Sequence, residues 1–303
     1  MPEQTSPSGK AMAINVALMR VAAVIAFLLA LDRLAVAATP TSARQSSYEA
    51  STSDAARQDA IKSIPLERLA PDDRARVNSV LSNVSVFRRM PVKVVDCDPD
   101  MYLFLVRHPD VVVNIWEVLK LSKLQLRQVD ENQFQITEQP GTATNFRFVY
   151  QNHDTHVIYG EGTYEGPLLA RPVKGRGILV LKTGYVRETN GRYYVTSRLD
   201  CFLAIEPAGA ELLTKTVSPL LGKTADNNFI QSVAFVGSLS HTAEVNQRGV
   251  RRLATQLTQV VPEVRDRFAE LAADLYQKSS LAAATEAAAR DDIASQPSER
   301  KER

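Results

Sequence analysis

The chain has 303 residues, of which 45% are hydrophobic and 23% are charged, and its formal net charge at pH 7 is +2. This composition is typical of a globular protein and excludes fibrous, collagen-like and wholly disordered classes. The near balance of charge argues against an electrostatic nucleic-acid binder, so no nucleic-acid partner is expected. Two cysteines are too few for a small domain framed by disulfides.

The N-terminal segment has the layout of an export signal. Lys10 and Arg20 precede an unbroken apolar run over residues 21–31, and residues 35–37 (Ala-Val-Ala) supply small side chains at the spacing that a signal peptidase reads. The run is short for a membrane span, which needs about 20 apolar residues. Residues 1–37 are therefore predicted to be a signal peptide, with an uncleaved membrane anchor as the alternative. Both interpretations place the body of the protein outside the cytoplasm, either secreted or in the periplasm.

The next segments change from a polar lead-in to regular structure. Residues 38–63 are rich in Ser, Thr, Ala and Gln, which predicts a loosely ordered linker. Residues 66–81 have the apolar spacing of a helix. Residues 84–95 are rich in Val and alternate as in a strand, in which Pro91 marks a bulge or an edge position. Residues 98–119 are mostly apolar and predict a pair of short helices, each beginning at an Asp or Pro signal.

Residues 124–206 change to a period of two, as in antiparallel strands joined by hairpins. Asn190-Gly191 is the strongest short hairpin signal in the chain. Within residues 146–150 aromatic side chains alternate with other residues, and residues 193–205 alternate in the same way. Each of these strands is therefore predicted to have one apolar face.

After Pro207 the pattern becomes helical again. It predicts a short helix over residues 210–221, a long helix over residues 229–260 with one apolar side, and an amphipathic helix beginning at Pro262. Residues 279–303 are rich in Ala and then charged, without large aromatic side chains, which predicts a disordered tail or, at best, a marginally stable helix exposed to solvent. A run of strands followed by helices indicates an α+β fold.

The predicted element order resembles the helix-grip fold of the START and polyketide-cyclase-like superfamily, which includes the birch-pollen-allergen relatives. The resemblance covers roughly residues 84–260, within one predicted domain over residues 64–278, and it rests on element order. Residues 108–110 followed by Trp116 look like the Pro-plus-Trp helix that is common in this superfamily. The resemblance implies a curved antiparallel sheet that grips a long C-terminal helix, here with an extra C-terminal helix. It also implies a cavity between them for lipids, sterols or aromatic polyketides.

The resemblance brings no catalytic residues with it, and neither a cofactor nor a metal is expected. His153 and His156 lie three residues apart, but in a hairpin turn without a third ligand, so we interpret them as a polar turn. Side chains on the predicted inner faces either line a ligand cavity or fill a closed core. The candidates to line a cavity are Trp116, Phe146, Phe148, Tyr150, Tyr193, Ser197 and Phe235.

The two cysteines test the layout that the resemblance implies. In a helix grip the end of the first strand, near Cys97, faces the start of the last strand, near Arg192. Cys201 then lies several residues away, and at about 3.4 Å per residue this exceeds the reach of a disulfide. Two separate thiols are expected, and a disulfide in an oxidising compartment stays open as the alternative.

These observations predict an exported binding protein that holds or carries a hydrophobic, lipid-like ligand between sheet and helix, rather than an enzyme. One alternative is an enzyme of the cyclase or hydrolase type that uses the same cavity, with Ser197, Tyr150 and His156 as scattered polar candidates. Another alternative is a structural or interaction protein of the cell envelope.

A basic cluster lies near the end of the long predicted helix. It consists of Arg248, Arg251 and Arg252. A solvated helix face is the usual explanation of such a cluster, and docking to anionic lipid headgroups at a membrane surface is the alternative.

Overall fold

The architecture is α+β and is built on one eight-stranded antiparallel sheet, as predicted. The signal peptide predicted over 1–37 and most of the helix predicted over 210–221 lie outside the described residues. The computed structural model describes residues 48–138, 142–164, 173–205 and 218–295.

The helices and strands alternate in blocks along the chain, and a short 3-10 turn over Leu66–Arg68 comes between the first two helices. The described helices are α1 (Asp54–Lys62), α2 (Pro71–Ser82), α3 (Pro99–Arg107), α4 (Pro109–Val118), α5 (Ser218–Val245), α6 (Gln247–Ala254) and α7 (Pro262–Ser295). The described strands are β1 (Val86–Arg89), β2 (Lys93–Asp96), β3 (Gln125–Asp130), β4 (Gln133–Glu138), β5 (Thr142–Gln151), β6 (Thr155–Tyr164), β7 (Val173–Arg187) and β8 (Tyr193–Ile205).

The strand order is β1-β8-β7-β6-β5-β4-β3, and β2 also pairs with β8. The predicted first strand is therefore two short strands on the same neighbour, with Phe87 opposite Phe202 and Val95 opposite Val195. Pro91 lies between them, where its missing N–H interrupts the ladder at the edge of the sheet. The first and last strands are antiparallel neighbours, as the resemblance implied.

The helix pair α3–α4 begins where the local signals indicate. The Asp98 carboxylate accepts hydrogen bonds from the backbone N–H groups of Asp100 and Met101, each at 3.0 Å, and Pro99 occupies the first turn. Pro109 then begins α4 directly after α3 ends. The cap satisfies N–H groups that a helix start leaves free, and each proline supplies a preset φ angle.

Helices α3, α4 and α5 pack on one face of the sheet, which we call the inner face, and α7 packs against α3, α5 and α6. Helix α5 comes very close to β2 at Gly237. A Cβ atom at this position would lie 3.0 Å from the Cβ of Val95 and 3.2 Å from the backbone oxygen of Asp96. Only glycine allows this approach without a shift of the helix, so Gly237 sets how tightly α5 lies on the sheet.

The opposite face of the sheet, the outer face, is covered by α1 and α2. Buried side chains of these helices, such as Ala60 and Val77, join an apolar cluster with Ile178, Val180 and Phe202 from the strands. The prediction of a loose linker over residues 38–63 is therefore wrong for α1. Ala60 of this helix is buried, and Ala56 and Ile61 are partly buried, because the sheet offers an apolar partner, which composition alone does not reveal.

A buried ion-pair network ties the outer layer to the sheet. The Asp200 side chain has no exposed surface and accepts hydrogen bonds from Nε of Arg89 at 2.6 Å and from Nη2 at 3.0 Å. Arg89 also donates to Asp59 on α1 at 2.7 Å, and Arg198 lies 3.6 Å from Asp200. The hydrogen bond to Asp200 raises the pKa of Arg89 above its usual value. These contacts compensate a carboxylate that would otherwise be costly to bury.

The long helix predicted over residues 229–260 ends earlier than predicted, at its C-terminus. Helix α5 ends at Val245, and the side chain of Asn246 caps α6 by accepting a hydrogen bond from the N–H of Gly249 at 3.0 Å. The predicted helix over 229–260 is thus two helices, because the asparagine cap starts a new one. Helix α7 continues to Ser295 through most of the predicted disordered tail, in keeping with the high helix propensity of alanine. None of the described helices is both long and apolar enough to span a membrane.

A candidate ligand cavity

An apolar cavity of about 110 Å³ lies between the inner face of the sheet and helices α3, α4 and α5. The concave arrangement places strands β5 to β8 on one side and α5 on the other, as the helix-grip layout implied. Aromatic side chains form much of the wall, namely Tyr102, Trp116, Phe146, Phe148 and Phe229. Aliphatic side chains complete it, including Leu179, Leu181, Leu199, Val233 and Val236.

The two hydroxyl groups of the cavity wall are already hydrogen-bonded. The Tyr102 hydroxyl lies 2.5 Å from Oγ of Ser197, and Ser232 donates to the backbone oxygen of Asn228 at 2.8 Å. Burial raises the pKa of Tyr102 to about 12, so its phenol is protonated at neutral pH. No charged side chain is among the described residues of the wall. The cavity therefore favours an uncharged, apolar occupant.

Three of the predicted cavity residues, Trp116, Phe146 and Phe148, line this cavity. Two others lie directly behind the wall. Ser197 is fully buried and holds the Tyr102 hydroxyl. The Phe235 ring stands edge-on to Trp116, with 5.8 Å between the ring centroids.

Tyr150 does not share the inner face with Phe148, and the prediction that it does is wrong. Phe148 pairs with Ile158, but a register shift follows, so that Tyr150 pairs with Val157 on the outer face. There Arg68 donates a hydrogen bond to the Tyr150 hydroxyl at 3.0 Å. A β-bulge inserts one extra residue, which reverses the alternation of side chains beyond it.

Tyr193 also lies outside the cavity. It is the first residue of β8, and its side chain is 38% exposed. The guanidinium carbon of Arg187 lies 5.6 Å from the centre of its ring, in a cation–π contact. Alternation places Tyr193 in phase with the buried Val195, but Tyr193 is the first residue of the strand and its side chain stays partly exposed.

The polar candidates for catalysis do not form a nucleophile–base pair. Ser197 contacts Tyr102, and Tyr150 lies on the outer face. His156 has no exposed surface, and neither of its ring nitrogens has a hydrogen-bond partner among the described residues. Burial lowers the pKa of His156 to about 4, so the ring is neutral at pH 7. Within the described ranges, no group of three or more His, Cys, Asp or Glu side chains is placed to hold a metal ion.

The buried His156 predicts a pH dependence of stability. The unfolded chain binds this proton with a pKa near 6.5, whereas the folded protein binds it only near pH 4. Stability is therefore lost as the pH falls from 6.5 to 4, by about 3 kcal/mol. We expect the free energy of unfolding of the wild type, relative to that of His156→Phe, to fall by this amount over that window. Denaturant titrations across the window measure the difference, and a constant difference would contradict the assigned burial.

The wild type must be compared with His156→Phe because Asp110 changes the stability with pH in the opposite direction. Burial raises the pKa of Asp110 to about 6, and its side chain has no exposed surface. Its contribution to stability is lost as the pH rises from about 4 to 6, because the unfolded chain releases this proton first. The two effects partly cancel in the wild type. An Asp110→Asn variant serves as the control, and its difference from the wild type should change with the opposite sign.

The two cysteines are both buried and unbonded. The backbone N–H of Cys97 donates to the backbone oxygen of Tyr193 at 3.1 Å, which places Cys97 at the start of the last strand, as the layout implied. Cys201 lies further along that strand, opposite Leu179 and Arg88. Burial raises the pKa of each thiol to about 12, so neither is a reactive thiolate at neutral pH.

Comparisons with known proteins give similarity to solved structures only. No protein-family model matches the sequence, and no curated protein matches it. Norcoclaurine synthase from Thalictrum flavum, in complex with dopamine and hydroxybenzaldehyde, is 15% identical over 52% of this chain and 88% of that chain, with a TM-score of 0.32.

Two further structures are similar at the same level. A hypothetical protein, jhp0584, from Helicobacter pylori is 12% identical over 49% of this chain and 84% of that chain, with a TM-score of 0.31. The di-domain ARO/CYC BexL from the BE-7585A biosynthetic pathway is 15% identical over 56% of this chain and 57% of that chain, with a TM-score of 0.31. Scores this low assign neither a family nor an activity, so the fold class stands on the strand order and helix placement of this chain.

Proposed function

We propose that the chain is an exported binding protein of the helix-grip type, which holds a small apolar molecule between α5 and the inner face of the sheet. One observation carries this proposal: an apolar cavity whose hydroxyl groups are already hydrogen-bonded lies between α5 and the sheet. An apolar occupant gains contact with its walls without leaving a polar group unpaired.

The volume of the cavity indicates the size of the ligand. An apolar cavity of about 150 Å³ admits benzene in another small protein, and drug-sized ligands occupy about 300–1,000 Å³. At about 110 Å³, this cavity is suited to a single small ring or a short aliphatic chain. A larger lipid-like ligand requires α5 to move away from the sheet, against the tight approach at Gly237.

The export part of the proposal rests on the sequence. The basic residues Lys10 and Arg20, the apolar run over 21–31 and the small residues at 35–37 have the order of a secretory signal. Cell fractionation followed by N-terminal sequencing tests it. A chain found outside the cytoplasm that begins near residue 38 supports a cleaved signal, and a cytoplasmic chain beginning at Met1 contradicts export.

Binding is tested by NMR titration of the full chain with toluene as the probe. We expect saturable shifts confined to methyl groups of the wall, such as those of Leu179, Leu199 and Val233. Benzoate, which has a ring of the same size but carries a charge, serves as the control and should bind far more weakly, because the wall offers no partner for a carboxylate. Shifts that are absent, or that spread over surface residues, would contradict the proposal.

A further inference from the structure

Helix α6 presents three arginines that form neither ion pairs nor side-chain hydrogen bonds within the described part of the protein. Arg248, Arg251 and Arg252 are exposed, and none of their guanidinium groups forms an ion pair or hydrogen bond with another described residue. At 100° per residue they lie within an arc of about 100° on the helix. The buried Val250 and Ala254 lie on the opposite side, against the protein.

This arrangement has an energetic cost for the isolated protein. Arg248 is three residues from Arg251 and four from Arg252, at spacings where like charges repel. Arg251 and Arg252 lie in the last turn, where the helix dipole favours positive charge. Arg248 lies in the first turn, where the same dipole disfavours it. The dipole therefore does not account for the cluster as a whole, which is complementary to an external anionic surface.

Exposed apolar side chains precede and follow this helix in the sequence. Val245, which ends α5, is 63% exposed, and Val261, which precedes α7, is 40% exposed. A basic helix face with apolar residues beside it is the combination that binds the headgroup region of an anionic bilayer. We propose that α6 docks on an anionic lipid surface, with its three guanidinium groups on lipid phosphates. This surface is separate from the cavity, and the proposal does not depend on the cavity being a binding site.

The test is the partition of the full chain between water and phosphatidylcholine vesicles, prepared with or without phosphatidylglycerol. The variant R248Q/R251Q/R252Q should bind the vesicles containing phosphatidylglycerol about a hundredfold more weakly than the wild type, since each basic residue near an anionic surface contributes about fivefold. Vesicles of phosphatidylcholine alone should not distinguish the two proteins. The N-terminal segment is the same in both and cannot produce a difference.

A matched control removes the same charge from elsewhere. The variant K62Q/K174Q/K223Q changes three exposed lysines on α1, on β7 and near the start of α5, all outside α6. It should keep most of the affinity for vesicles containing phosphatidylglycerol. An equal loss in both triple variants would overturn the proposal, because it would show a general effect of net charge. Affinity unchanged by the arginine substitutions would overturn it as well.

Hydrogen exchange gives a second measurement that is specific for the location. On vesicles containing phosphatidylglycerol, amides of α6 should exchange more slowly, and the protection should disappear in about 1 M salt, where the Debye length is about 3 Å. Protection that excludes residues 247–254 would place the contact elsewhere and overturn the proposal. The arginine variant should melt no lower than the wild type, because the substitutions relieve repulsion.

Discussion

Val233→Phe should abolish the binding of toluene, with a loss in affinity of at least tenfold, while the protein stays folded. Val233 lies on α5 and its side chain forms part of the cavity wall. A phenyl ring at this position occupies the volume of about 110 Å³ that the ligand would take. Since an empty cavity costs about 24 cal/mol per Å³, filling it should leave the melting temperature unchanged or raise it. NMR titration and thermal unfolding measure the two effects.

The converse variant, Val233→Ala, is the control for this experiment. It enlarges the same cavity and should retain toluene binding, with a lower melting temperature because apolar contacts are lost. If Val233→Phe binds toluene as tightly as the wild type, the ligand does not occupy this cavity and the proposed function is wrong. If both variants lose binding equally, the position matters for packing and not for the volume available to a ligand.

Arg89→Met should lower the free energy of unfolding by about 3–5 kcal/mol, because it leaves a buried carboxylate without its main partner. Asp200 has no exposed surface, and both of its oxygens accept hydrogen bonds from Arg89. Arg198, at 3.6 Å, is too distant to replace them. The same substitution also removes the contact to Asp59 on α1, so the outer layer should loosen. Chemical denaturation measures the change.

Two further variants separate this effect from a general effect of losing an arginine. Arg74→Met removes an ion pair with Glu67, which is largely exposed, and should cost less than about 1 kcal/mol. Adding Asp200→Asn to Arg89→Met removes the buried charge and should recover much of the stability. A double variant as unstable as Arg89→Met alone would show that burial of the charge is not the cause.

Local signals in the sequence predicted most of the inner layer. The cap at Asp98 and the prolines at 99 and 109 determine where α3 and α4 begin, because each acts within one turn of the chain. A helix over residues 66–81 was predicted, but neither its position on the outer face nor helix α1 was, although residues 178–181 indicated that the sheet has a second buried face. Four consecutive apolar residues predict a strand that is buried on both faces, and such a strand needs helices or strands packed on each side of the sheet. Helix α1 provides part of that cover, with side chains too small to mark it as a core helix.

The cavity residues were predicted only in part, for two physical reasons. Tyr150 and Phe148 alternate in the sequence, but a single bulged residue between them reverses the side on which Tyr150 lies, and alternation does not reveal bulges. The cavity itself depends on how closely α5 approaches the sheet at Gly237. Packing differences of one methyl group decide whether such a space is open or filled, and the pattern of residue types does not resolve them.

The apolar outer face of the sheet limits where the chain can be cleaved without exposing that face. Val157, Ile178 and Phe202 are buried in an apolar cluster to which α1 and α2 contribute. Cleavage within or after these helices would expose a contiguous apolar surface on a sheet, which promotes aggregation. Cleavage that leaves this cover intact must therefore occur upstream of residue 54, a condition that the predicted cleavage after residue 37 meets.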